Sequence, residues 1–545
     1  MRALRGDTLS AITTGVAVFL AGGALLSLEI ASSRVMAPYF GSSLFVWGSL
    51  IGIVLAGLSV GYWLGGIVAD RWATPTLFVS VLALAGVLVL VIPYVDGRIL
   101  DWVVAWDPGP RSNPVVATIA IFGLQSIVLG MVSPLAVKLL ARSLERLGRV
   151  AGRLFAISTA GSIAGTFATA FFLIPELGTD QLIATLAVVL LVAAGAVALV
   201  ERLALPSAVA LALAGVSVAA VMALEPEQPG SVVAASQLQN WSPVYRQRGL
   251  DERDASVEQQ YAGYEILYAK DTQYHRVAVV EDDVARYLRF DNSFQSGMFV
   301  DDPYETRFAY SDYLHLGLAY RPESKRVLFV GLGGGSAPKR MWRDFPALRI
   351  DAVEIDPEVV DVAYRFFELP RDDRLQVTAQ DGRRFLAQNE GPWDVIALDA
   401  FYADSIPFHL ATREFLQLAQ SRLAPGGVIV TNVIGAVEGP QSRLLRSMLR
   451  TYGTVFPSVA VHPVTEVGDE DLTSVRNVIV VASDGAMPQT DFLQSRWAEL
   501  RRRAPGAPDL TRAIRNRVER TIPTADVPVL TDDYAPTDAL LLLFG

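Results

Sequence analysis

"VLFVGLGGGSAPK", residues 327–339, begins as a hydrophobic strand, breaks at a run of glycines and then offers Ser336 and Pro338 as a helix start. A strand that passes into a helix through glycines lets a ligand come close to the backbone and meet the helix N-terminus, as dinucleotide and nucleoside sites do. Gly331, Gly333 and Gly335 resemble a dinucleotide fingerprint, but its third glycine position is Ser336. The turn alone is as well explained by tight local geometry, so the meaning of these glycines comes from what surrounds them.

Downstream, apolar strands recur between helical or loop segments: "RIDAVEID", "LQVTAQD", "WDVIALDAF" and "GGVIVTNVI" follow "RVLFVG". Strands that alternate with helices predict a doubly wound parallel sheet of the Rossmann-like kind. Ligands of such sheets bind beyond the carboxyl ends of the strands, and this chain puts acids there. Glu354 closes the second strand, 19 residues after Gly335, the place of an acid that accepts hydrogen bonds from ribose hydroxyls. Asp356 is its near neighbour, and one of the two can cap the helix that starts at Pro357. Asp381 closes the third strand beside Gly382, where a short carboxylate would accept from an adenine amino group or act as an N-cap. Asp399 closes the fourth strand and would face the reacting centre.

Upstream, "YHRVAVVED" and "RYLRFDNSFQSG" read as a small β region over residues 262–297. Before it, "EPEQPGSVVAASQ" opens a Pro/Gly/polar linker, 225–261. Residues 1–224 have a different composition: apolar runs with few charges at about 11–31, 44–67, 76–95, 114–137, 152–174, 181–200 and 205–224. Each is close to the roughly 20 residues that carry a helix across a bilayer. A multi-span, all-α membrane domain of about seven helices is therefore expected, with residues 298–545 as the catalytic domain. Stretches such as "GLSVGYWLGG" and "AGSIAGTFATA" supply small residues for close helix contact. Among the intramembrane charges, Arg34 and Lys138 suit interfacial snorkelling, whereas Glu29 is costly in hydrocarbon and could mark a polar site. The first run is followed at once by a second span and lacks a clear cleavage site, so it is expected to stay in the mature protein.

A mean hydropathy of +0.35 fits a chain that lies partly in a bilayer. Without cysteine it has no disulfide, thiolate metal site or Cys nucleophile. His275, His315, His409 and His462 lack the close spacing of a zinc motif, and no metal is expected. A net charge of −10 argues against a nucleic-acid partner, which demands a basic face.

In order and spacing, "LRFDNSFQS", "VLFVGLGGGS", "DAVEIDPEVVDVA", "QDGRRFL", "DVIALDAF" and "LAPGGVIVTNV" resemble the spermidine synthases, or polyamine aminopropyltransferases. The resemblance runs from about Tyr274 to Ile434, and the whole chain is similar to bacterial membrane-fused members of that family. It implies a seven-strand, methyltransferase-type sheet that uses decarboxylated S-adenosylmethionine as co-substrate, with no tightly bound cofactor. It also implies a nucleoside and a polyamine as small-molecule partners and is compatible with a homodimer. Carried over by position, Gly331, Gly333, Gly335, Glu354, Asp381 and Gly382 would hold the nucleoside, and Asp399 would be the catalytic carboxylate. Gln295 and Tyr310 match positions lining the amine and aminopropyl pocket, and His275 falls where the soluble enzymes place a glutamine.

Two departures stand out. Where the soluble enzymes carry an aspartate for the amino group of the donor, this chain has Gly334, so ordinary S-adenosylmethionine is an alternative donor. A second acid of those enzymes is matched by Tyr402, with Asp404 nearby as a substitute. Competing readings are another S-adenosylmethionine reaction on the same fold (methyl or aminocarboxypropyl transfer, or cyclisation) and a polyamine transporter or sensor with a degenerate synthase domain.

Membrane sidedness divides two lines of argument. Arg2, Arg5, Arg71, Lys138, Arg142, Arg146, Arg149, Arg153 and Arg202 fall on the N-terminal side, against Arg34, Arg98 and Arg111 opposite. That bias puts the N-terminus in the cytoplasm, and seven crossings would leave the catalytic domain outside. Supply of a cytoplasmic nucleoside favours the inside.

Overall fold

In the computed structural model of the chain, residues 2–40, 44–106, 108–109, 111–141, 143–177, 179–223, 232–234, 263–291, 293–401, 406–465 and 471–541 are described. The chain divides into two units, Met1–Glu227 with Lys270–Gln273, and Gln228–Ala269 with Tyr274–Gly545.

The first unit is helical: α1 (Arg2–Phe40), α2 (Leu44–Trp72), α3 (Pro75–Trp106), α4 (Ser112–Thr118), α5 (Leu124–Leu140), α6 (Leu144–Ala168), α7 (Ile174–Leu177), α8 (Thr179–Val200) and α9 (Ala204–Ala223). A π-turn, Ile119–Gly123, joins α4 to α5, and another, Thr169–Leu173, extends α6. Among the described residues, 6 helical stretches are long and apolar enough to cross a membrane. The seventh expected run forms α9, whose stretch Ala204–Ala219 is apolar but shorter than those six.

The small-residue stretches do what their composition predicts. A Cβ on Gly165 would lie 2.4 Å from the Gly23 carbonyl oxygen, and one on Gly61 would lie 2.2 Å from that of Ile127. Only glycine lets α1 meet α6, and α2 meet α5, at such range. Lys138 pairs with Asp70 at 2.7 Å on exposed ends, in keeping with snorkelling.

The second unit contains two sheets. A five-stranded antiparallel sheet has the order β1-β2-β3-β4-β5, from β1 (Val232–Ala234), β2 (Gly263–Asp271), β3 (Arg276–Glu281), β4 (Ala285–Phe290) and β5 (Ser293–Phe299). The expected linker therefore contributes a strand, because Val232, Val233 and Ala234 pair with Glu265, Tyr264 and Gly263. A seven-stranded sheet has the order β11-β12-β10-β9-β6-β7-β8. Its members are β6 (Arg326–Val330), β7 (Arg349–Glu354), β8 (Leu375–Ala379), β9 (Trp393–Leu398), β10 (Leu423–Gly435), β11 (Ser458–Pro463) and β12 (Arg476–Ser483). β6 to β10 are mutually parallel, and β12 runs antiparallel to both β10 and β11.

Helices cover both faces of this sheet, so its central strands are apolar throughout instead of alternating. Leu328 and Ile396 are buried with Phe415, Leu445 and Met448 on one face; Val327, Phe329 and Val395 are buried with Met341 and Trp497 on the other. Each such side chain contributes roughly 1.5–3 kcal/mol. The small sheet shares its own core with the helix Pro357–Phe366, through Val277, Val279, Leu288 and Phe290 against Val359 and Val362. From β6 the chain winds outward to β7 and β8, then crosses back to β9. The order reverses between β6 and β9, and in such sheets this is the switch point where ligands bind, beyond the carboxyl ends of the strands.

Candidate active site

The glycine turn leaves β6 at this switch point. Gly331, Gly333 and Gly335 have φ of 98°, 53° and 72°, a region where any other side chain is strained. A Cβ on Gly331 would lie 2.2 Å from the Asp399 carbonyl oxygen, so the ends of β6 and β9 touch backbone to backbone. The helix Ser336–Asp344 starts directly after Gly335.

Glu354, at the end of β7, is buried and organises the turn. Its Oε2 accepts from the Leu332 and Gly333 amides at 3.1 and 3.4 Å, and its Oε1 from the Asp356 amide at 3.2 Å. Burial pushes its carboxyl above the ordinary value, and these amides oppose that shift. Asp356 is the cap, accepting from the Glu358 amide at 2.9 Å. Asp381 caps the helix Gly382–Gln388 through the Arg384 amide at 2.8 Å, while its second oxygen meets His409 Nε2 at 3.1 Å. Gly382 is pressed against β6: a Cβ there would sit 2.3 Å from Val330 Cγ1.

Asp399 follows β9, its amide donating to the Val330 carbonyl at 2.8 Å. Burial pushes its carboxyl up to about 6, against the lowering effect of a hydrogen bond from Asn432 Nδ2 to its Oδ1 at 2.9 Å. The residue as a whole is half-buried. A carboxylate raised toward neutrality at the carboxyl end of a strand, beside the switch point, has the properties of a general base.

The small sheet supplies another wall. Ser296 Oγ accepts from the Gly334 amide at 2.8 Å, and the Tyr310 hydroxyl donates to the Gln295 carbonyl at 2.8 Å. Thus Gln295 and Tyr310 meet beside the glycine turn. His275 does not join them: it is buried and stacks on Phe290, with ring centroids 4.4 Å apart and planes at 4°. Its neighbour Tyr274 stands among the carboxylates instead, and burial, Asp356, Asp381 and Glu354 together raise its phenol above the ordinary value. Tyr402 and Asp404 lie outside the described residues.

The sequence reading missed Tyr274, Ser296, Asn432 and Asn477, the last of which donates from Nδ2 to Asn432 Oδ1 at 3.0 Å. Ser296 and Asn432 were visible as polar residues in stretches already recognised, "NSFQSG" and "GGVIVTNVI". The pairing of Asn432 with Asn477 had no local signal.

Residues 307–467 match the family described as the spermine/spermidine synthase domain. Over 201 residues, 35% of this chain, the sequence is 33% identical to the polyamine aminopropyltransferase of Vibrio vulnificus, of which the match spans 65%. It is 36% identical over 143 residues, 24% of this chain, to the eEF1A lysine and N-terminal methyltransferase of Homo sapiens, spanning 20% of that protein. Among solved structures, a probable spermidine synthase from Corynebacterium glutamicum aligns with 48% of this chain and 99% of its own, at 20% identity and a TM-score of 0.38. The chain spans less than two thirds of the length of the curated aminopropyltransferases that it matches.

Proposed function

We propose that the second unit of the chain, whose residues 307–467 match the spermine/spermidine synthase domain, is an aminopropyltransferase. It moves the aminopropyl group of decarboxylated S-adenosylmethionine to putrescine or a related amine, giving spermidine and 5′-methylthioadenosine. The observation that carries this reading is Asp399, a carboxylate with its carboxyl near 6 at the switch point between β6 and β9.

The chemistry suits these groups. A diamine with a pKa near that of lysine, about 10.4, arrives protonated and non-nucleophilic at neutral pH. Asp399 attracts the ammonium and accepts one proton. The freed nitrogen lone pair forms a bond to the carbon beside the sulfonium, whose C–S bond breaks with both electrons going to sulfur. Sulfur leaves as a neutral thioether, so alignment matters more than stabilisation of a developing anion. Glu354 and Asp381 hold the nucleoside through its ribose and adenine, with Gly331, Gly333, Gly335 and Gly382 admitting it to the backbone. Gln295 and Tyr310, with Tyr274 opposite the acids, border the amine. The helical unit anchors the chain as a multi-pass membrane protein.

Release of methylthioadenosine by the purified full chain, with and without putrescine, tests the reaction. Calorimetric titration with decarboxylated and ordinary S-adenosylmethionine tests the donor. Methylated or cyclised product without amine-dependent methylthioadenosine would overturn the assignment.

A further inference from the structure

β9, β10 and β12 are neighbours in the large sheet, and each contributes one polar group to a single line of hydrogen bonds. In the antiparallel register of β10 and β12, Ile434 is opposite Asn477 and Asn432 is opposite Ile479. Asn432 and Asn477 are therefore diagonal neighbours on one face, within reach of short side chains. Asn432 is 1% exposed, so its amide must find its partners inside the protein. Its carbonyl accepts from Asn477 Nδ2 at 3.0 Å and its Nδ2 donates to Asp399 Oδ1 at 2.9 Å. Among the described residues, Asp399 receives no other side-chain hydrogen bond.

We infer that Asn477 and Asn432 are positioning residues that fix the orientation of the Asp399 carboxylate. This rests on the proposed role of Asp399 as the base. An amide can turn over and present its oxygen where its nitrogen was. Turned over, Asn432 would set a carbonyl oxygen against a carboxylate oxygen, a repulsion that only protonation of Asp399 relieves. Asn477 prevents this by donating to the carbonyl, so the nitrogen must face Asp399. One oxygen is then occupied and the other is left to take the amine's proton. A single neutral donor leaves the carboxylate more basic than several donors would. Asn477 lies beyond residue 467, where the family match ends.

The charged groups on the adjoining strands are accounted for. Arg326, at the start of β6, pairs with Asp351 at 3.1 Å, and Asp394, near the start of β9, lies 3.7 Å from Arg321. Arg476 of β12 bonds to Ser474, and Glu354 of β7 is bound to the glycine turn. β10 carries no titratable side chain. Tyr452 bonds to Thr431, the neighbour of Asn432 whose side chain lies on the opposite face of the strand.

The test is Asn477→Ala in the full-length protein, a change that removes no atom touching Asp399. Amine-dependent methylthioadenosine release is followed from pH 5 to 10, beside methylthioadenosine affinity. The expected result is an acid limb moved upward by about half to one unit, equivalent to a loss of roughly 2- to 5-fold at pH 6. Near pH 9 the rate is largely preserved, and nucleoside affinity is unchanged. A profile superimposable on wild type, or lowered by one factor at every pH, overturns the inference. A second measurement does not need turnover. Infrared difference titration of the Asp399 carboxyl, with the Asp399→Asn protein as baseline, reads the same upward shift directly in Asn477→Ala. If wild type releases no methylthioadenosine, the proposed reaction fails, yet this titration still decides the relay: an unmoved carboxyl sinks it.

Discussion

Asp399 is asked to be both an electrostatic partner and a base, and its surroundings make a definite demand on pH. The base form exists above its carboxyl value of about 6, so wild-type turnover should fall as pH drops through that region. Above it the rate should keep rising toward pH 10, as more amine arrives unprotonated. Asp399→Asn is expected to lose roughly two to four orders of magnitude in turnover at neutral pH, the scale of a lost general base, with much of the nucleoside affinity kept. Raising the pH should restore part of the rate. Full activity in the Asn variant would remove Asp399 from the mechanism; parallel losses of thermal stability and nucleoside binding would make it structural. Glu354→Gln and Asp381→Ala should each weaken methylthioadenosine binding by about 1.5–3 kcal/mol, the worth of a hydrogen bond to a charged acceptor. Glu354→Gln should also lower the melting temperature, because the Leu332, Gly333 and Asp356 amides lose a carboxylate. Calorimetry and a thermal melt separate the two effects, and unaltered binding in both variants would leave these acids as caps and turn-holders.

At the scale of the element, the glycine turn can be judged by what it excludes. A Cβ on Gly334 would meet the Phe367 ring at 2.9 Å and Ser296 Cβ at 3.0 Å. The aspartate that soluble relatives are expected to carry there therefore has no room while Phe367 and Ser296 stay in place. Gly334→Asp should destabilise the protein by about 1–3 kcal/mol, the usual cost of overpacking, and should not improve binding of decarboxylated S-adenosylmethionine. Tighter donor binding in that variant would show that the turn adapts. The turn and the five parallel strands were legible because each is written locally, as an apolar run, a glycine break and an acid at a strand end. The apolar run of β12, "NVIVVA", is strand-like too, but its antiparallel direction is set by where the chain re-enters the sheet, which no local pattern records. The same holds for the site. Carboxylates at strand ends could be placed from the sheet alone, whereas Asn432 and Asn477 meet across 45 residues of sequence. Tyr274 and His275 are adjacent in a turn, and only packing of the histidine against Phe290 decides which of them stands among the acids.

For the whole molecule, each unit has a core of its own, and the boundary is a polar stretch. Deleting residues 1–224 should leave a domain that folds and binds methylthioadenosine; a fragment that is ligand-blind under conditions where the full chain binds would show that the helical unit completes the site. Sidedness can be read because the chain has no background thiols. With 6 crossings and the Arg-rich loops inside, a cysteine introduced at exposed Val284 should resist impermeant reagents in intact cells and react after permeabilisation. Labelling in intact cells would require a seventh crossing by α9. The place of truncation matters as well, because β1 is more than a tether. It occupies the outer backbone groups of β2 at Gly263, Tyr264 and Glu265. A fragment begun at residue 262 would leave that border of the small sheet bare, with a row of unsatisfied amides and carbonyls ready to recruit another chain. Such a fragment should self-associate as its concentration rises, while one begun at residue 225 stays monodisperse; the strand hidden in the linker would then act as a built-in guard against aggregation.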